Sequence, residues 1–145
     1  QGAYVVGSAG SDEKCQWLTK QAGIDHAINY RKEADLDKAV RTAFPKGIDV
    51  YFENVGGDVF NAVLPRLNDF ARIPICGMIS QYQTAEKTGL RNVGALLDRS
   101  ASMTGFRIGQ HLPRRDHALG ELHRVLSAPV VTDIAVKVGA RERQD

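Results

Sequence analysis

With 145 residues, 43% of them hydrophobic and 25% charged, the chain has the size and make-up of one globular domain around a single core. Its formal net charge of +2 comes from scattered lysines and arginines, not from the basic stripe of a nucleic-acid surface, and no apolar run approaches the roughly 20 residues that span a bilayer. Cys15 and Cys76 form neither a disulfide framework nor a metal-ligand spacing, which fits a reduced, cytoplasmic setting.

No charged-then-apolar leader heads the sequence, and the chain is inside a strand almost from Gln1, so it reads as part of a longer protein. Ala3–Ser8 predicts that first strand. Ser11 offers a cap oxygen, Asp12 and Glu13 suit a helix first turn, and Cys15, Leu18 and Ala22 share one face up to a stop at Gly23. Trp17 is expected to pack partly against the sheet. His26–Tyr30 is a second strand. Asp35–Phe44 is a helix with Leu36, Val40 and Phe44 on one face, ended by Pro45.

Ile48–Glu53 is a third strand, apolar on both faces except at Asp49, as in a parallel strand covered on both sides. After NVGGD, a helix carries Val59, Phe60, Val63, Leu64 and Leu67. Phe70–Gly77 is a fourth strand, although Pro74 lacks a ladder donor and argues against a fully central place. Gln81–Thr88 is the least organised stretch. Asn92–Arg99 is a short helix, Ser102–Ile108 a fifth strand, and Arg114–Leu126 a helix with Ala118, Leu122, Val125 and Leu126 on a stripe. Asp133–Val138 alternates like a strand, and a polar tail follows. Strands separated by helical segments, with no hairpin signals, predict βαβ crossovers and a doubly wound parallel α/β sheet.

In such sheets ligands bind beyond the carboxyl ends of the strands. Polar or glycine-rich segments recur there: GSAGSDEK, NY, ENVGG, CGMISQYQ and GFRIGQ. GSAGSDEK (Gly7–Lys14) has neither the G-x-G-x-x-G nor the Walker spacing, and the strand end about 20 residues later carries no acid. It reads as the segment after the second strand of a dinucleotide fold, facing the adenosine ribose. Ala9, Gly10 and Ser11 stand where an NAD-selective site places a carboxylate. Small neutral groups with Lys14 one turn on suit a ribose carrying a 2′-phosphate, and Asp12 and Glu13 oppose this unless they turn away. A solvated helix lysine is the plainer reading of Lys14 taken alone.

These segments, from VVGSAGSDEKCQWL through GIDVYFENVGGDVF and ICGMISQYQ to SMTGFRIG, resemble the medium-chain dehydrogenase/reductase superfamily. The branch they are most similar to is the zinc-independent NADP-dependent double-bond reductases: leukotriene/prostaglandin, alkenal and curcumin reductases. The resemblance covers roughly the first three-quarters of the chain. It implies an incomplete Rossmann-type domain over residues 1–110, beginning after the family's first strand and Gly-rich loop, with residues 111–145 returning toward an absent substrate domain. It implies NADP(H) as cofactor, with Lys14 on the 2′-phosphate, Tyr30 at the same end, and Asn54 beside the nicotinamide ribose or diphosphate. Cys76, Gly77, Met78, Ile79, Ser80 and Tyr82 would line the nicotinamide half, and Phe106, Arg107 and Ile108 would reach the carboxamide.

Tyr82 would be the catalytic group, a phenol of ordinary pKa about 10 acting as proton donor or enolate stabiliser. The implied reaction is hydride transfer to the β-carbon of an α,β-unsaturated ketone or aldehyde, with the small enone or enal as partner, no nucleic acid or membrane, and a homodimer as an option. The parent would be the enzyme, the isolated chain a weak binder. The Asn-x-Gly-Lys closing motif of the family is absent, and the match fades after Leu126.

Plainer readings stand beside these. Asn54, Gly56 and Gly57 are explained by turn chemistry, Tyr30 can cap the core, and Cys76 reads as a small buried hydrophobe. The four histidines lack metal-ligand spacing, and LPRRDH (Leu112–His117) reads as a solvated helix start. Two rival functions remain: a non-catalytic Rossmann-like interaction module using exposed sheet edges, and a quinone reductase or zinc-free alcohol dehydrogenase of the same superfamily.

Overall fold

The computed structural model describes residues 2–82, 85, 89–125 and 139–140, with side chains up to residue 120. Strand β1 (Tyr4–Ala9) leads into α1 (Asp12–Lys20), β2 (His26–Asn29), α2 (Leu36–Ala43) and β3 (Ile48–Val50). Then come α3 (Gly57–Val63), β4 (Leu67–Ile75), α4 (Gly94–Asp98), β5 (Ser102–Gly105), α5 (Arg115–Val125) and the two-residue β6 (Gly139–Ala140). Single 3-10 turns follow α3 and, at Ile79–Gln81, β4, and a seven-residue 3-10 helix at Ile108–Arg114 precedes α5.

The local causes are those of the sequence. The Ser11 hydroxyl accepts from Lys14 N–H at 3.3 Å and starts α1, and the Asp35 carboxylate accepts from Lys38 N–H at 2.9 Å and starts α2. The latter helix buries Val40 and Ala43, and Phe44 closes it just before Pro45. Val59, Phe60, Val63, Leu64 and Leu67 are all buried, and Trp17 is half-buried as expected.

Three parallel ladders, in two sheets, carry the fold among the described residues. Strand β1 pairs with β2 from Val6 opposite His26 to Ala9 opposite Asn29, while β4 lies between β3 and β5. Between these halves β6 runs antiparallel to β1, with Tyr4 opposite Ala140, and lies close to β3. That antiparallel pair falls in the tail expected to be merely polar. The strand expected at Asp133–Val138 lies outside the described residues, as does most of Gln81–Thr88. One core serves both halves: Val6 and Ile28 belong to the same buried cluster as Ile48, Phe60, Leu64, Leu67 and Ile73.

Two expectations are corrected. Pro74 occupies the middle strand of its sheet. Tyr51 donates to the Arg72 carbonyl and Glu53 to the Pro74 carbonyl, so the only rung proline withholds is one to the Tyr51 carbonyl, where β3 has already ended. The fifth strand stops at Gly105: Phe106 N–H still reaches the Ile75 carbonyl at 3.1 Å, but Arg107 and Ile108 turn into the 3-10 helix.

Candidate functional site

The residues singled out in the sequence gather at the carboxyl ends of the strands, in two groups. The first sits beyond β1 and β2. Tyr30 N–H donates to the Ala9 carbonyl at 3.1 Å, and its ring and the Arg31 side chain fold over the β1–α1 turn. A Cβ on Gly10 would meet the Tyr30 hydroxyl and Arg31 Nε, each at 3.0 Å. Lys14 is exposed in the first turn of α1, with no ion pair among the described residues. Asp12, the acid that opposed an anion here, is held by Lys32 and Asn29. Those two hydrogen bonds, Lys32 first, keep its carboxyl below the usual carboxylate range. The acid objection thus falls for Asp12. Glu13 stays exposed.

The second group sits beyond β3 and β4. A Cβ on Gly77 would lie 2.7 Å from Asn54 Oδ1 and 2.8 Å from the Tyr82 hydroxyl. Only glycine lets those two side chains close over the strand end. Met78 N–H donates to the Tyr82 oxygen at 3.0 Å. That bond uses one lone pair, and among the described residues the phenol's own hydrogen has no acceptor, so it can donate outward. Cβ atoms on Gly56 and Gly57 would each come within 3.3 Å of Ser80 Oγ, and on Gly56 also of Met78. Ile79 N–H reaches the Asn54 carbonyl at 3.1 Å and Ser80 N–H the Val55 carbonyl at 3.0 Å, so residues 76–80 are strapped to the 53–55 segment.

Cys76 is corrected: it is exposed, because the strand ends at Ile75 and the next residue steps out of the sheet onto its crest. Cys15 is half-buried, and burial, helped by the Asp12 charge, pushes its thiol up. Phe106 joins the second group's flank, its ring 6.1 Å from Phe52. Arg107 and Ile108 point outward: the Arg107 N–H is taken by Gln110 Oε1 at 3.3 Å and Ile108 is 75% exposed.

Sequence reasoning missed Arg31 and Glu53. Arg31 follows Tyr30 directly, and a second cation beside a candidate phosphate group was available as a signal. Glu53 left no such trace, because what marks it is a set of contacts made only in the folded chain. A polar cavity of about 530 Å³ opens beside Tyr30, but Asp35, Asp37 and Asp58 line it together with the ion-paired Arg91, a poor lining for an anion.

The zinc-binding dehydrogenase family matches residues 1–125. The chain is 48% identical over 107 residues to the NADP(+)-dependent 2-alkenal reductase of Nicotiana tabacum, which spans 74% of this chain and 31% of that protein. It is 46% identical over 105 residues to (+)-pulegone reductase of Mentha piperita, spanning 72% of this chain and 31% of the other. The crystal structure of CurA in complex with NADPH from Vibrio vulnificus aligns with a TM-score of 0.76 at 39% identity, over 86% of this chain and 38% of that one. This chain therefore spans about a third of the length of these relatives. Among the described residues no group of three or more His, Cys, Asp or Glu could hold a metal ion.

Proposed function

Because this chain belongs to the zinc-binding dehydrogenase family, we propose that it forms the coenzyme-binding part of an NADPH-dependent reductase of the C=C bond in α,β-unsaturated ketones and aldehydes. The observation that carries this reading is the convergence of Asn54 and Tyr82 over Gly77 at the carboxyl end of a parallel sheet. The similarity to an NADP(+)-dependent alkenal reductase, and to a structure solved with NADPH, supports the same coenzyme.

The glycines fit such a ligand. Gly10, Gly56 and Gly77 hold open the surface along the strand ends, where side chains would collide with Tyr30, Ser80 and Asn54. Lys14 and Arg31 would take the 2′-phosphate end, where the Tyr30 hydroxyl and Arg31 Nε both border Gly10. Asn54 and residues 76–80 would line the nicotinamide half. When bound, the coenzyme supplies the hydride. Tyr82 donates its free O–H to the enone oxygen as negative charge develops there, which stabilises the enolate without removing a proton from the site. The α-carbon then takes a proton from solvent, so that hydride and proton together saturate the C=C bond.

The test is coenzyme discrimination in the full-length protein. A charge-assisted hydrogen bond is worth about 1.5–3 kcal/mol, so Lys14→Ala is expected to raise the KM for NADPH by roughly ten- to a hundredfold and leave that for NADH nearly unchanged. Equal losses for both remove the phosphate assignment. No turnover of an enone, with turnover of a quinone or an alcohol instead, removes the substrate class.

A further inference from the structure

Glu53 is 0% exposed, and no cation pairs with it among the described residues. A buried carboxylate is costly unless its lone pairs are met. Here three donors meet them: the Tyr51 hydroxyl at 2.8 Å, Gly56 N–H at 2.7 Å, and Val55 N–H. The two amides converge on one oxygen, and Gly56, which donates the second of them, adopts φ +78°, a left-handed value that favours glycine. The backbone of Glu53 does a second job. Its N–H donates to the Pro74 carbonyl at 2.9 Å, and its carbonyl accepts from Cys76 N–H at 2.8 Å and Gly77 N–H at 3.3 Å. One residue therefore fixes the 54–56 turn through its side chain and the 76–77 segment through its main chain, and these flank the meeting point of Asn54 and Tyr82.

We propose that Glu53 is a positioning residue for the nicotinamide half of the coenzyme site, setting the separation of Asn54 from the 76–80 loop through its grip on both. This rests on the coenzyme reading above. A glutamine of the same length keeps one oxygen for the two amides and turns its NH2 toward the Tyr51 oxygen, which can accept. An aspartate withdraws the carboxylate by one methylene and loosens the turn.

In the full-length protein, Glu53→Asp is expected to raise the KM for NADPH and for NADH by the same factor, about tenfold, with kcat also lowered. Glu53→Gln is expected to stay within about threefold of the wild type. The unchanged NADPH-to-NADH ratio separates this effect from that of Lys14→Ala. A folded Glu53→Asp protein with wild-type KM values, or with only a smaller active fraction, overturns the assignment. If that variant does not fold, Tyr51→Phe removes one donor without touching the backbone. It should raise both KM values about threefold, and unchanged values again overturn the proposal. A wild-type protein with no saturable NADPH signal sinks the coenzyme reading itself, a result distinct from either.

Discussion

At the scale of single residues, Tyr51 gives a clean solution test. Burial first, then the Glu53 charge beside it, push its phenol well above the ordinary tyrosine range. The unfolded chain ionises it near the ordinary value of about 10. Above that pH the unfolded state binds fewer protons than the native one, so this contribution to stability is intact below pH about 10 and falls as pH rises past it. In an absorbance titration Tyr51 should stay silent until the protein unfolds in alkali, and Tyr51→Phe should flatten the alkaline limb. A native protein in which every tyrosine titrates normally contradicts this. Residues of this kind mark the limit of the sequence as a guide. Tyr30, Asn54 and Tyr82 could be picked out because they follow strand ends. The exposure of Cys76 and the burial of Glu53 could not, since both depend on where the strand beside them stops.

The helices at Asp12–Lys20 and Leu36–Ala43 were legible to within a few residues, because each had a local cause: Ser11 and Asp35 as caps, Pro45 as a stop, Val40 on an apolar face. The third, fourth and fifth strands each missed one end by three residues, and Leu67, expected on the helix before it, opens β4. Departures arose where a neighbour overruled the local signal. Phe106 and Ile108 extend the apolar signal past Gly105, yet β5 ends there because Ile75, whose carbonyl Phe106 N–H reaches, is the last residue of β4. Strand β4 also holds a strained residue, Phe70, at φ 61° and 76% exposed, with its N–H on the Arg99 carbonyl at 2.7 Å. A left-handed conformation costs an L-residue about 1–2 kcal/mol, and glycine returns roughly half of that gain through its own chain entropy. Phe70→Gly is therefore expected to raise stability by about 0.5–1 kcal/mol, read as a higher denaturant midpoint at constant slope. A lower midpoint means the exposed ring makes contacts that outweigh the strain.

On the scale of the whole molecule, the parallel α/β layout followed from alternating strand and helix patterns, whereas the antiparallel β6 had no sequence signal beyond two small residues in a polar tail. Cooperativity rests on the shared core. Phe60 is 0% exposed, with its ring 5.5 Å from that of Tyr51, in a cluster that includes Val6 and Ile28 of the other half. Phe60→Ala is expected to cost about 3–5 kcal/mol and to lower a single unfolding transition seen alike by all probes. Two separated transitions would mean that the halves fold independently. Among the described residues no ladder bond crosses from β6 to β3, so the packing of the shared core helps set how far the Tyr30 end stands from the Asn54 end. Among the described residues that seam carries no backbone rung, so trimming a methyl there is expected to retune the reach between the two ends as a vernier does.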